Sequence, residues 1–178
     1  MNPTPHLSAV VPLYNEVESL RELHAELARA LDATGRPWEI VYVDDGSRDG
    51  SDRVIAEIAA ADPRVRGVSF RRNFGKSAGL ATGFRLARGE LVVTLDADLQ
   101  DDPSELPKLL AALDQGFDLV SGWKQERHDP ITKTLPSRLF NVVTGMVAGI
   151  RLHDFNCGFK LYRRDVVESV DVYGELHS

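Results

Sequence analysis

The apolar positions of this chain alternate between two periods. Residues 7–13 make a short apolar run of the kind that fills a strand covered on both faces. Val17, Leu20, Leu23, Leu27 and Leu31 then recur at helical spacing, with Asn15 placed to cap that helix and Gly35-Arg36-Pro37 to end it. Residues 38–43 predict a second strand, 52–61 a helix, 65–70 a third strand, 76–87 a helix and 91–95 a fourth strand. Pro103 suits a first helical turn that continues over 104–113. Residues 117–122 are strand-like, and 158–162 predict one more short strand. Between them, Leu135, Leu139, Val142, Val143, Met146, Val147 and Ile150 share one face of a further helix.

Strands alternating with helices predict an α/β fold with a mostly parallel central sheet and helices on both faces. Neither a low-complexity linker nor an internal repeat divides the 178 residues, so they read as a single domain. In such sheets a ligand sits beyond the carboxyl ends of the strands. Tyr14-Asn15-Glu16 follows the first strand, Asp44-Asp45-Gly46-Ser47 the second and Asp96-Ala97-Asp98 the fourth. Three polar, mostly acidic segments are therefore expected along one edge.

The sharpest of them is residues 91–100, an apolar strand that runs directly into Asp96 and Asp98 with one small residue between. Carboxylates two apart at a strand end can turn to one ligand, Ala97 permits close approach, and Gln100 adds a neutral oxygen. Hard oxygen donors in an open shell suit Mg²⁺ or Mn²⁺ bridging a diphosphate. A helix cap with a solvated acidic turn is the plainer reading, since Asp101 and Asp102 follow. Asp44 or Asp45 can accept hydrogen bonds from ribose or a base N–H, or belong to a turn in which Gly46 supplies the special conformation. Asp49 and Ser51 read as capping residues only. Pro12 stiffens the exit of the first strand, Tyr14 offers a ring to a base, and Glu16 lies at a helix start. The stretch Arg71-Arg72-Asn73-Phe74-Gly75-Lys76 precedes a helix, and it either meets phosphate or lets small residues pack helix on sheet. It is not a P-loop.

Net charge of −6 argues against a broad grip on nucleic acid. Cys157 is the single cysteine, so no intrachain disulfide forms, which suits a reducing cytoplasm. The amino terminus lacks a signal-peptide pattern, and the best apolar stretch, 139–150, is short and interrupted by Asn141 and Thr144. The chain is expected to be soluble, with no transmembrane segment. His153, Asp154 and Cys157 fall short of a zinc ligand set.

Val-Pro-Leu-Tyr-Asn-Glu, Val-Asp-Asp-Gly-Ser, Arg-Asn-Phe-Gly-Lys, Asp-Ala-Asp-Leu-Gln-Asp-Asp-Pro and Asp154-Phe-Asn-Cys-Gly-Phe-Lys occur in this order. Together they resemble the family 2 inverting glycosyltransferases, in the branch of dolichol-phosphate mannosyltransferase and bacterial polyprenyl-phosphate glycosyltransferases. The resemblance implies a GT-A fold, with a nucleotide-binding half over about 7–100 and an acceptor half over about 101–178. It implies a nucleotide-sugar donor, UDP-linked in preference to GDP-mannose, and a lipid-phosphate acceptor. Pro12, Tyr14, Glu16 and Asp44 would hold the nucleoside, with Asp45 and Lys76 grouped with them. Asp96, Asp98 and Gln100 would hold the metal, with Ala97 beside the ribose or diphosphate. Arg127 and Arg138 would face phosphate, and Asp154 the sugar. A lipid phosphate is largely ionised at neutral pH, so no obligatory general base is expected. The family pattern continues past Gly174-Glu175-Leu176-His177 into a further strand and a basic loop, and many members add membrane helices. The chain is thus expected to be a truncated catalytic domain, its parent anchored on the cytoplasmic side of a membrane.

Overall fold

The computed structural model describes residues 4–122 and 158–169. In them Leu7–Leu13 (β1), Trp38–Asp44 (β2), Val65–Ser69 (β3), Leu91–Thr94 (β4), Leu119–Ser121 (β5) and Lys160–Arg163 (β6) form one sheet, ordered β3-β2-β1-β4-β6-β5. β1 pairs in parallel with β2 and β4, and β2 with β3. β6 runs antiparallel between β4 and β5, so the sheet is mixed on that side. The helices are Leu20–Ala33 (α1), Ser51–Ala61 (α2), Lys76–Leu86 (α3), Leu106–Leu113 (α4) and Arg164–Ser169 (α5). The helix predicted from Pro103 opens as a 3₁₀ turn over Pro103–Glu105, where the Asp102 carboxylate accepts the Ser104 N–H at 2.9 Å. The apolar face predicted over 135–150 lies outside the described residues.

Every position of β1 and β2 is buried, as their apolar runs require. Alternate residues serve opposite faces. Leu7, Ala9, Val11 and Leu13 join the apolar stripes of α1, α2 and α4 in the larger core. Val10 and Val92 point the other way, to Ala87, Leu80 and Phe84 beyond and within α3 and to Val167 of α5. In α1, Leu20, Leu23 and Leu31 are fully buried, and each such side chain stabilises the packing by about 2 kcal/mol. Among the described residues no helix is long and apolar enough to cross a membrane.

At the amino-terminal end of the parallel strands, Glu39 is buried to 1% exposure. It accepts the Ser8 hydroxyl at 2.7 Å, the Arg88 backbone N–H at 2.8 Å and side chain at 2.7 Å, and Arg66 at 3.0 Å. Burial opposes the charge, but the bonds from Arg88 and Ser8 and the charge of Arg66 outweigh it, so the carboxyl lies below the usual glutamate range. This cluster ties the exit of α3 to β1 and β2.

From β1 the chain moves outward to β2 and β3, then crosses through α3 to β4 on the other side of β1. That reversal opens a crevice at the carboxyl ends of β1 and β4, the place where an open α/β sheet receives a ligand.

Candidate active site

The segment after β1 is shaped by the segment after β2. Asn15 has a left-handed φ of 56°. Its N–H donates to Ser47 Oγ at 2.8 Å, and its Oδ1 accepts the Arg48 N–H at 2.9 Å. The Glu16 N–H donates to Ser51 Oγ at 3.0 Å and the Val17 N–H to Asp49 Oδ2 at 3.0 Å. Asn15 is therefore not the cap of α1, which starts at Leu20 behind Ser19. Its polar groups are spent on residues 47–48 instead, a local alternative always open to asparagine. Asp49 and Ser51, expected only to cap, are not the cap of α2, which is Gly50 with φ of 99° and no side-chain bond; they tie the two loops together instead. Asp49 Oδ1 accepts both the Ser51 N–H and hydroxyl while Oδ2 holds Val17. Desolvation works against the Asp49 charge, yet the bonds from Ser51 and Val17 hold its carboxyl below the usual range.

The two acids ending β2 have separate surroundings. Asp44, at 1% exposure, accepts the Ser47 N–H at 3.0 Å. Asp45 turns to the segment before α3, where its two oxygens accept the Phe74 N–H at 2.7 Å and the Gly75 N–H at 2.9 Å. Gly46, with φ of 77°, lies against that same segment: a β-carbon there would meet the Arg72 carbonyl carbon at 2.5 Å. The small residues of α3 do allow close packing, Gly79 against Pro12 and Gly83 against Val10.

Past β4 the backbone of Leu99 is left-handed, φ 58°, and the Asp96 N–H donates to Asp101 at 3.3 Å. Asp96 is partly buried and its Oδ1 meets Lys76 Nζ at 2.5 Å, whereas Asp98 is exposed and accepts the Gln100 N–H at 3.1 Å. Tyr14, 44% exposed, and these groups enclose a cleft of about 280 Å³ lined also by Pro12, Glu16, Asp45, Gly75 and Ala97. Of the residues singled out from sequence, Pro12, Tyr14, Glu16, Asp45, Lys76, Asp96, Ala97 and Asp98 meet in it. Asp44 and Gln100 lie outside its wall, and Arg127, Arg138 and Asp154 lie outside the described residues.

Two wider grooves run elsewhere. One adjoins the cleft along residues 15–19 with Arg48, Asp49 and Leu99, and the other lies among His6, Arg36, Glu90, Arg163 and Glu168 at the far end of the sheet. Neither gathers the strand-end acids. Among the described residues no group of three or more His, Cys, Asp or Glu side chains is placed to hold a metal. Of the four carboxylates that line the cleft, Asp96 and Asp98 are the pair at the end of β4, and one or two carboxylates with substrate phosphates and water are the way Mg²⁺ is commonly held.

Sequence reasoning missed the part played by Gly158. A β-carbon there would lie 2.5 Å from Asp96 Cγ, and its carbonyl accepts the Thr94 hydroxyl at 2.8 Å. The signal available was a glycine at the start of the strand expected over 158–162, which in the structure begins at Lys160.

The chain is 42% identical over 169 residues to the undecaprenyl-phosphate 4-deoxy-4-formamido-L-arabinose transferase of Pseudomonas aeruginosa (strain LESB58), covering 94% of this chain and 50% of that protein. It is 40% identical over 166 residues to the protein of that name from Shewanella sediminis, covering 92% and 50%. The chain thus spans about half the length of the curated relatives it matches. Among solved structures it is similar to a mannosyltransferase from Pyrobaculum calidifontis in complex with GDP-Man and Mn²⁺, with TM-score 0.67, 25% identity and coverage of 93% and 46%. It shares its fold with glucosyl-3-phosphoglycerate synthase from Mycobacterium tuberculosis in complex with Mn²⁺ and UDP-glucose, at TM-score 0.69, 22% identity and coverage of 93% and 58%. The α/β fold of the GT-A type expected from the sequence is borne out. The sequence model of the family described as Glycosyl transferase family 2 matches residues 8–171, and the chain belongs to that family.

Proposed function

We propose that this chain is the catalytic domain of a glycosyltransferase that moves a sugar from a nucleoside diphosphate to a polyprenyl phosphate, with inversion at the anomeric carbon. The observation that carries the reading is the cleft between β1 and β4, where an aromatic ring, strand-end carboxylates and one ammonium face the same space. The relatives from Shewanella sediminis and Pseudomonas aeruginosa are undecaprenyl-phosphate transferases, which supports the acceptor. A UDP-sugar is the preferred donor.

In this reading Tyr14 stacks on the base and Glu16 accepts hydrogen bonds from the nucleoside, while Asp44 supports the nucleoside site from behind the cleft wall by holding the turn at Ser47. Asp45 contributes through the loop that its carboxylate holds, and Lys76 meets the diphosphate. Asp96 and Asp98, with Gln100 beside them, hold Mg²⁺ or Mn²⁺, and hard carboxylate donors with an open shell fit such an ion. When bound, the ion neutralises charge that grows on the leaving nucleoside diphosphate. Arg127 and Arg138 clamp phosphate, and Asp154 orients the sugar. The acceptor phosphate attacks already ionised, so the residues position and neutralise rather than remove a proton. Residues 7–100 form the nucleotide half and 101–178 the acceptor half, and the parent protein works at a membrane surface.

Titration calorimetry of UDP and GDP, with and without Mn²⁺, tests the donor site. Metal-dependent binding of UDP that is lost in Asp98→Ala is the expected result, and binding that ignores both metal and Asp98 overturns it. Turnover of the parent-length protein on an oligosaccharide but not on undecaprenyl phosphate would overturn the acceptor.

A further inference from the structure

Lys76 opens α3, and its ammonium sits 2.5 Å from Asp96 Oδ1. Its backbone is anchored from below. The 4%-exposed Asp45 holds the N–H groups of Phe74 and Gly75, the two residues ahead of it. Asp96 is confined on its other sides, with its N–H given to Asp101 and its carboxylate against Gly158. The pair is thus built from both partners. The two partners differ in mobility, however. The Lys76 side chain is 55% exposed on a flexible stem, whereas that of Asp96 is 24% exposed. Asp98 stands outside the pair, exposed and bonded to the Gln100 N–H.

We propose that Lys76 is a resident counter-cation for Asp96, which weakens divalent-cation binding at this acidic strand end until a diphosphate draws the ammonium away. The inference rests on the donor-site reading above and adds to it an order of binding. Without nucleotide, a divalent ion has Asp98 and an Asp96 whose charge is already matched, with a cation of like sign beside it. A diphosphate arriving at the start of α3 offers Lys76 more negative charge than one carboxylate does. The ammonium swings to it on a fixed backbone, and Asp96 is released. Nucleotide and metal therefore strengthen each other, and this coupling is reciprocal. Lys76 is a positioning residue in this scheme: it acts on the metal through Asp96.

The test is titration of Mn²⁺ by electron paramagnetic resonance, and of UDP by calorimetry, on the chain and two variants. Lys76→Met should bind Mn²⁺ without nucleotide about tenfold more tightly than wild type, the effect of deleting a like charge at a half-exposed site. The factor by which Mn²⁺ improves UDP binding should shrink to match. Lys76→Arg keeps a cation on Asp96 and should stay within about twofold of wild type for Mn²⁺ alone. Unchanged nucleotide-free Mn²⁺ affinity in Lys76→Met, with metal-dependent UDP binding intact in wild type, overturns the counter-cation and leaves the donor site standing. Wild-type UDP binding that ignores Mn²⁺ overturns both.

Discussion

Gly158 and Asp96 are in such close approach that no side chain fits between them: a β-carbon at 158 would lie 2.5 Å from Asp96 Cγ and 2.5 Å from Oδ2. The glycine just before β6 thereby sets where the first acid after β4 can stand. Overpacking of this kind costs about 1–3 kcal/mol when the neighbour cannot relax. Here the relaxation available to Asp96 is movement away from its place in the cleft. Gly158→Ala should therefore weaken Mn²⁺-dependent UDP binding about tenfold, the equivalent of about 1.4 kcal/mol. Circular dichroism should show the fold retained. Wild-type affinity in this variant would mean that Asp96 tolerates displacement and is not held by Gly158.

Asp45 makes a different prediction from Asp44. Asp44 ends β2 and Asp45 follows it, but only Asp45 receives two backbone N–H groups from the segment before α3. Hydrogen bonds to a charged acceptor each contribute about 1.5–3 kcal/mol. Removing both, with some solvent entering at the exposed loop, should lower the stability of Asp45→Ala by about 2–4 kcal/mol. For a chain of this length that is a fall of about 5–12 °C in thermal midpoint. UDP affinity should drop as well, since Lys76 loses its anchored backbone. A melt unchanged from wild type would sink the anchoring role.

The clamp between the loops after β1 and β2 gives a third. Ser51 Oγ accepts the Glu16 N–H at 3.0 Å and donates to Asp49 at 2.7 Å from a fully buried position. Ser51→Ala unpairs Glu16 and frees the loop that carries Tyr14. It should cost about 1–2 kcal/mol in chemical denaturation and several-fold in UDP affinity. Nucleotide-free Mn²⁺ binding should be unmoved, because Asp96 and Asp98 lie beyond a different strand. A parallel loss of Mn²⁺ binding would show general loosening instead of a local one.

Much of this arrangement is legible in the chain itself. Mostly apolar runs, interrupted by Ser8 in β1 and by Glu39 in β2, mark strands whose two faces are both covered, and Asp96-Ala97-Asp98 is visible as an acidic exit from such a run. What cannot be read there is which groups satisfy one another. Lys76 and Asp96 meet because the order of β1 and β4 brings the start of α3 beside the end of β4, and residue spacing carries no sign of that. Asn15 fits a cap pattern as well as it fits the clamp, since its side chain serves either purpose. The short run before Arg163 announces a strand, but its direction against β4 depends on the path the chain takes to reach it. That Asp45 also holds the backbone of Phe74 and Gly75 is likewise invisible in residue spacing.

The last prediction concerns the opposite end of the sheet, where Glu39 carries Ser8, Arg66 and Arg88. Its folded value lies below the ordinary glutamate value of 4.5, because the bonds from Arg88 and Ser8 and the charge of Arg66 overcome the cost of burial. A depressed carboxyl contributes stability that is fully present above its unfolded value and fades as pH falls through the folded one. The wild-type protein should thus lose stability on acidification below about pH 4.5. Glu39→Gln removes the charge and leaves the two arginines without it, which should cost about 2–3 kcal/mol at pH 7 given that both are partly solvated. That penalty should shrink as pH falls from the unfolded glutamate value toward the lower folded one, because the unfolded carboxyl takes up its proton first and the wild-type advantage fades. UDP affinity at pH 7 should stay within about twofold, since the cluster lies at the amino-terminal end of β2 and the cleft at the carboxyl ends of β1 and β4. Urea denaturation of both proteins from pH 7 to pH 3.5 measures the difference directly. A penalty that stays constant across that range would mean Glu39 is held by packing and neutral hydrogen bonds, with its charge contributing nothing.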